Sequence, residues 1–390
     1  MILHVNIVNL QESVDDNMAG LYIHIPYCHS KCIYCDFYST PRRDTHDDYV
    51  SSLLTEYDLR YSEIKEKWTT IYIGGGTPSV IPMPALNRLI DGIKERIDAS
   101  CIEEWTIEAN PEDVTGLWVQ NVVSRGISRV SLGIQSFNDK ELAFVKRVHS
   151  ASKAIDAIEL LRENGISEIS GDLIYGLPGQ SFENWKYSLG KLLSLGLPHF
   201  SAYLLSYENG TRLYAMLQRG KIEELSEDEA CERYHYLCDC AHQAGYEHYE
   251  ISNFSLPGHN AIHNSNYWSG KPYLGLGVSA HSFDGRIRRY NGNDIKGYIT
   301  SISRREVCCV VENETDNERH NDYVITALRT SRGIDIDEYR HLWGEYMYSR
   351  LIKLSQSYLQ SKMMLLQDGR LMISELSMLI SDRIMVDFII

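Results

Sequence analysis

No lysine or arginine occurs before Lys31, and Glu12, Asp15 and Asp16 fall within the opening stretch. The basic start of a secretory signal and the Arg-rich, acid-poor character of a transit peptide are both missing. Nowhere does an apolar run approach the roughly 18 residues that read as a membrane-spanning helix. Basic charge is scarce overall: 38 Lys and Arg face 53 Asp and Glu, a formal charge of -15. Such a field repels phosphate backbones and anionic lipid, so nucleic acid and anionic membrane are poor default partners. Internal repeats of fixed period and low-complexity tracts are also absent. What remains is an ordinary globular composition, 43% hydrophobic and 23% charged, in a 390-residue chain long enough for two domains or one large domain with an appendage. The nine cysteines are an odd number and do not look like a disulfide scaffold. The expectation is a cytoplasmic protein whose thiols stay reduced and free to hold metal.

From residue 21 onward, short apolar runs rich in branched residues alternate with longer helical patterns. Strands are expected at 21–25, 70–73, 105–109, 129–133, 169–174 and 200–204. Helices are expected at 47–67, 84–97, 115–125, 152–164 and 181–195. Six such repeats predict an α/β fold, a partial (βα)6 parallel barrel. The rhythm weakens near residue 207. An acidic run at 221–232 reads as a solvated helix face, and 259–292 is too irregular to assign. The chain ends in a strand-like apolar stretch at 384–390. The expected division is a flexible extension over 1–20, a barrel over 21–245, an irregular connecting segment over 246–305 and a smaller mixed α/β C-terminal domain over 306–390.

Cys28, Cys32 and Cys35 stand in CxxxCxxC spacing directly after the first strand. Three thiolates in eight residues can wrap one metal centre, and soft sulfur ligands select zinc or an iron–sulfur cluster. A structural zinc site would want a fourth ligand, for which the neighbouring His29 and Asp36 are poorly placed. On a cubic cluster, three cysteines leave one iron open to bind a substrate. Gly74, Gly75, Gly76 and Thr77 follow the second strand, where bare backbone admits a ligand. Glu108 ends the third strand, Gln135 follows the fourth, Arg147 is expected on the next helix and Asp172 lies in the fifth strand. In a parallel barrel these positions share one mouth. The other six cysteines read as core or surface thiols.

With YIHIPYC, IGGGTP, IEANPE, SLGIQSF, KRVH, GDLIYGLPGQ and HNSNYW in this order, the chain resembles the radical S-adenosylmethionine (SAM) superfamily, specifically its HemN/HemW family of coproporphyrinogen dehydrogenases and heme chaperones. The resemblance runs from residue 21 to the C-terminus. It implies a 4Fe-4S cluster on Cys28, Cys32 and Cys35, with SAM chelated to the open iron. Tyr22, Gly75, Gly76, Thr77, Glu108, Gln135, Arg147 and Asp172 match the family's SAM-contacting positions, and Tyr34 matches an aromatic beside adenine. A reduced cluster would then cleave SAM to methionine and a deoxyadenosyl radical. The dehydrogenases usually carry a fourth cysteine two residues after the third, where this chain has Phe37, and they have a longer segment before the first strand. His263 and Tyr267 match the HNxxY sequence that the chaperone group uses in heme binding. Imidazole is a common heme ligand, and phenolate is also chemically possible. The resemblance therefore implies a heme-binding protein with a 4Fe-4S cluster and SAM. Its expected partners are a heme acceptor such as a membrane cytochrome and an electron donor such as a flavodoxin or ferredoxin, with room for a homodimer. The alternative it implies is an oxygen-independent coproporphyrinogen III dehydrogenase, and a third reading is a plain heme reservoir with a structural cluster.

Overall fold

The computed structural model describes residues 17–42 and 44–390, so most of the segment expected to be an N-terminal extension lies outside the described residues. Six strands run parallel and side by side in chain order: β1 (Met18–Ile25), β2 (Lys67–Gly75), β3 (Glu104–Ala109), β4 (Arg129–Gln135), β5 (Glu168–Tyr175) and β6 (His199–Leu204). Helices α1 (His46–Arg60), α2 (Met83–Lys94), α3 (Gly116–Ser124), α4 (Asp139–Phe144), α5 (Ala151–Glu163) and α6 (Phe182–Ser194) occupy the crossovers. This is the expected open, partial (βα)6 barrel.

Alternation along a strand separates two environments. On β1, Ala19, Leu21, Ile23 and Ile25 are fully buried in the main core, whereas Gly20, Tyr22 and His24 occupy the alternate positions. Strand β1 starts three residues before its expected start at 21, so residues 18–20 are strand and not extension. Small residues are needed there, because a side chain on Gly20 would meet the His263 ring at 3.0 Å. Helix α1 ends at Arg60 and not near residue 67; a 3-10 turn follows, and β2 has begun by Lys67.

The second half departs further from expectation. Helices α7 (Arg212–Gln218) and α8 (Glu227–Gln243) lead to β7 (Glu247–Glu250) and β8 (Asn253–Ser255), which extend the sheet antiparallel from β6. After α9 (Ile262–Trp268), strand β9 (Tyr273–Leu276) pairs parallel with the free edge of β1. Strands β10 (His281–Phe283), β11 (Arg288–Asn291) and β12 (Cys309–Glu312) continue antiparallel beyond it, with α10 (Ile295–Ser303) between the last two. The stretch 246–305 is thus not irregular: it supplies strands to both sides of one twelve-stranded sheet. Of the acidic run, Glu223 and Glu224 precede α8, whereas Glu227, Asp228, Glu229 and Glu232 lie exposed on its first turns, as the reading of a solvated helix face expects, and a Ser226–Glu229 capping box starts the helix.

The C-terminal part holds α11 (Asp316–Leu328), β13 (Ile334–Asp335), α12 (Ile336–Gln360, broken at Gly344), β14 (Met364–Gln367), β15 (Arg370–Ile373) and α13 (Ser381–Val386). Its three strands form a separate sheet in the order β13, β15, β14. The apolar end is helix α13 and a short tail, not the expected strand; Ile384, Met385 and Phe388 are buried. Among the described residues, no helix is long and apolar enough to cross a membrane.

One buried ion pair ties the returning segment to the barrel. Glu56 and Arg60, one turn apart on α1, are each at most 1% exposed and pair at 2.7 Å. Glu56 also accepts from the Gly277 amide (2.8 Å), the Asn291 amide (2.7 Å) and the Tyr298 hydroxyl (2.6 Å). Arg60 donates to the Gly275 carbonyl and the Ser282 hydroxyl. Arg60 also pairs with Glu63 at 3.0 Å, so removing Glu56 leaves the arginine one partner but strands the buried Gly277, Asn291 and Tyr298 donors. Glu56→Ala is expected to lower the unfolding free energy by at least about 1–3 kcal/mol, the cost of a buried donor left unpaired, read by urea denaturation; a loss no larger than that of an exposed-site control would show the cluster does not hold this junction.

Candidate functional site

The cysteine loop leaves β1 and is closed at its neck by backbone bonds: Cys28 N–H donates to Thr40 O (3.1 Å) and Thr40 N–H to Pro26 O (2.8 Å). Its middle is pinned by Ile33, which is buried with Val145, Ile174, Leu177, Leu205 and Leu213. Leu213 N–H donates to Ile33 O at 2.8 Å. Tyr34 packs against this same apolar cluster. Cys28, Cys32 and Cys35 are all free and partly accessible on the loop so anchored. Burial raises the Cys28 thiol and pushes Cys35 up to about 11, the neighbouring cysteines adding repulsion. Three mutually repelling thiolates require a compensating cation, which a metal centre supplies.

Around the loop, each expected residue sits at or beyond a strand's C-terminal half. Glu108 accepts from the Tyr72 hydroxyl (2.8 Å) and the Gly75 amide (3.0 Å). Burial, then Asp172, pushes its carboxyl up to about 7. Asp172 accepts from Ser131 at 3.3 Å, and burial pushes it up to about 6. Gly75 has a φ of +111°, and a side chain there would strike the His24 ring at 2.6 Å. A side chain on Gly76 would meet the Tyr27 and Ile25 carbonyls within 2.9 Å, so this approach is open only to glycine. Thr77 Oγ1 donates to Gly76 O and lies 3.4 Å from Cys28 Sγ.

Gln135 ends β4 at an irregularity in its pairing with β5 and has a φ of 67°. A non-glycine residue in that region is held at a cost of about 1 kcal/mol or more, a form of strain that collects at ligand sites. Arg147 lies in the turn after α4 and not on a helix as expected. Its guanidinium donates to Asn110 Oδ1 (2.8 Å), to the Gly133 carbonyl and to Cys32 Sγ (3.8 Å). Its Nε and His24 Nε2 are buried without a hydrogen-bond partner. The set fits an iron–sulfur cluster and a charged ligand: three thiols, an adjacent half-buried cation, glycines that admit a ligand, and orphaned ring and guanidinium nitrogens.

Tyr22, His24 and Tyr72 line the interior behind the mouth. The Tyr22 hydroxyl is 3.0 Å from His24 Nδ1, and the Tyr22 and Tyr72 rings are 6.1 Å apart. His24, Tyr72 and Asn110 were not singled out from the sequence. Alternation alone places His24 with Tyr22 and Tyr72 with Gly74, which was the available signal.

His263 and Tyr267 are not on a loop at the mouth. They belong to α9, which closes the floor at the strands' N-terminal ends. Glu104 accepts from the Ile262 (3.0 Å) and His263 (2.9 Å) amides, and Arg129 pairs with Glu104 at 2.9 Å. His263 is 1% exposed, and both ring nitrogens are engaged: Nδ1 lies 2.8 Å from Thr70 Oγ1 and Nε2 2.9 Å from the Tyr267 hydroxyl. Burial lowers His263 to about 3 and raises the Tyr267 phenol, so imidazole stays neutral and phenolate is disfavoured. The His263 ring stacks on Tyr72 at 5.2 Å. Elsewhere, His259 pairs with Glu168 and His281 stacks on Tyr290.

A half-barrel whose first strand runs into a three-cysteine loop defines a radical SAM protein, and the Radical SAM superfamily model matches residues 22–192. Within that superfamily, the chain belongs to the HemN/HemW family. It is 39% identical over 279 residues to the heme chaperone HemW of Lactococcus lactis, covering 71% of this chain and 73% of that protein. It is 32% identical over 332 residues to HemW of Bacillus subtilis, covering 84% and 87%. The coproporphyrinogen III oxidase HemN of Escherichia coli shares the fold, with a TM-score of 0.81 at 21% identity over 96% of this chain and 90% of that one. The family implies a 4Fe-4S cluster and SAM.

A carboxyl whose folded pKa is raised binds its proton more tightly than in the unfolded chain. The associated stability is therefore full below about pH 4 and is lost as pH rises through the folded values of about 6 and 7. In the cofactor-free chain, Glu108→Gln should gain stability over the parent as pH rises from about 5 to 8, by at most about 1.4 kcal/mol per pH unit. Thermal unfolding across that range reads it, and parallel pH curves for parent and variant would refute the burial of a proton-holding Glu108.

Proposed function

We propose that the chain is a heme-binding protein of the cytoplasm that holds a 4Fe-4S cluster and SAM in the barrel mouth and passes heme to an acceptor such as a membrane cytochrome, drawing electrons from a flavodoxin or ferredoxin. One observation carries this reading: His263 of the HNxxY motif stacks on Tyr72, whose hydroxyl donates to Glu108 at the mouth. The heme motif and the cofactor residues thus share one interior. The name heme chaperone carried by the relatives supports the same reading.

Cys28, Cys32 and Cys35 would hold the cluster, which when bound supplies one electron to the SAM sulfonium. Arg147, already beside Cys32, offsets thiolate charge and offers Nε to a carboxylate. Glu108 in its ionised form faces the cationic end of SAM, with Tyr72 and Gly75 holding its oxygens. Gln135 and Asp172 can bond ribose hydroxyls, Gly75, Gly76 and Thr77 leave room for the ligand's polar groups, and Tyr22 and Tyr34 give aromatic walls. His263 would bind heme iron through a neutral ring once its bond to Tyr267 or Thr70 is exchanged. Phe37 occupies the fourth-cysteine position of the dehydrogenases and is 63% exposed, a phenyl surface suited to a macrocycle and not a metal ligand.

Anaerobic protein with a reconstituted cluster, SAM and a reductant is expected to produce no protoporphyrinogen from coproporphyrinogen III. Multiple turnovers in that assay would replace the chaperone reading with the dehydrogenase. Heme titration followed at the Soret band should show an affinity at least roughly tenfold weaker for His263→Ala. Tyr267→Phe, which keeps the shape of the floor and frees His263 Nε2, should retain heme. Equal affinities in the parent and His263→Ala would remove this histidine from the heme site.

A further inference from the structure

A second group of metal-ligating side chains meets far along the chain from the cysteine loop, where the barrel edge touches the C-terminal part. Cys238 and His242 stand four residues apart on α8, His248 is on β7, and Glu375 opens a 3-10 helix (Glu375–Ile380) after β15. One ligand atom each from Cys238, His248 and Glu375 lies within 4.8 Å of the others. Glu375 Oε1 is 3.4 Å from His248 Nδ1 and 3.0 Å from His242 Nε2. That oxygen is buried between the two rings, which hold the Glu375 carboxyl below the ordinary carboxylate range against the opposing effect of burial.

His248 is oriented as a metal ligand would be. Its Nε2–H donates to the Ile251 carbonyl at 3.1 Å, its ring stacks on Phe254 at 4.2 Å, and its side chain is 2% exposed. An outer bond of this kind fixes the tautomer and leaves Nδ1 with its lone pair facing inward. Here that lone pair faces a carboxylate oxygen, so two acceptors confront each other across a gap that only a proton or a cation can fill. The Tyr234 hydroxyl holds the Glu375 backbone carbonyl at 2.8 Å, which keeps the carboxylate at the junction. The two separations from the Glu375 oxygen, 3.0 and 3.4 Å, match edges of a tetrahedron around an ion with N and O bonds of about 2.0 Å, and the Cys238 sulfur lies within 4.8 Å of that oxygen and of the His248 nitrogen.

We propose that Cys238, His248 and Glu375 form a zinc site that staples the C-terminal part to the α8–β7 edge of the barrel, with the half-exposed His242, 3.0 Å from the Glu375 oxygen, turning in as the fourth ligand. A thiolate and two imidazoles select zinc over magnesium or calcium, and four protein ligands leave no open position for catalysis. The reading of Cys238 as an ordinary core thiol is then replaced.

The test uses the full chain with its cluster intact, dialysed against zinc and then against zinc-free buffer, with metal content read by mass spectrometry. The expected result is about one zinc per chain, kept when Cys28, Cys32 and Cys35 are all changed to alanine. Zinc should fall at least about fivefold in Cys238→Ser and in His248→Ala. Glu375→Gln, a milder change, gives the same loss if a variant at a buried position fails to fold. Cobalt(II) in place of zinc should give the visible bands of a tetrahedral thiolate site, lost in Cys238→Ser. A zinc-free parent, equal zinc in the parent and every folded variant, or zinc that vanishes with the Cys28, Cys32 and Cys35 changes would each overturn the proposal.

Discussion

Parallel pairing on both edges of β1 is the constraint on which the rest of the molecule depends. Its bonds to β2 on one side and β9 on the other hold one strand through which every functional region is connected. At its start, Gly20 leaves room for the His263 ring; along its middle, Tyr22 and His24 build the interior wall; at its end the cysteine loop departs. Displacing this strand by one residue would exchange the two faces, putting Tyr22 and His24 among the helices and Leu21 and Ile23 into the interior.

The interior is polar along its length, which is costly in a barrel and acceptable only where each group is partnered. Glu104 with Arg129, His263 with Thr70 and Tyr267, and Tyr72 with Glu108 link partnered groups from floor to mouth, although Arg129 Nε and Nη1 and Thr106 Oγ1 near the floor have no hydrogen-bond partner. At the top, Arg147 Nε and His24 Nε2 are likewise without hydrogen-bond partners, and burial raises the two carboxyls of Glu108 and Asp172 above the ordinary carboxylate range. Raised carboxyls beside a cation at the end of a cysteine loop are a physical mark of a functional site. The net charge of -15 makes the half-buried Arg147 all the more necessary there, since anionic groups must be met by a local cation.

The parallel half of the fold was legible because buried parallel strands are continuous runs of Val, Ile and Leu between helices with clear apolar faces. Strand-end chemistry was legible for the same reason: once the strands are placed, Glu108, Gln135 and Asp172 must share a mouth. The second half was not legible. Strands β8, β9 and β10 have only three or four residues, too few for any period to show, and exist through pairing with partners distant in the chain. Helix α9 lacks an apolar stripe because the face it buries carries His263, held by hydrogen bonds and not by hydrophobic contact. At the C-terminus the reverse error arose: branched apolar residues at 384–390 suggested a strand, but α13 buries Ile384 and Met385 by packing. The Cys238, His242, His248 and Glu375 group escaped a search for close spacing because its members come from three separate elements.

The pairing of Gly20 with Tyr273 spans 253 positions of the chain. During synthesis at about 5–20 residues per second, β1 emerges roughly 10–50 s before the strand that covers its outer edge. For that interval an apolar parallel edge, and the thiols just beyond it, are exposed to whatever the nascent chain encounters. A chain interrupted before residue 273 carries every candidate cofactor residue of the mouth on a sheet whose first strand lacks its β9 neighbour.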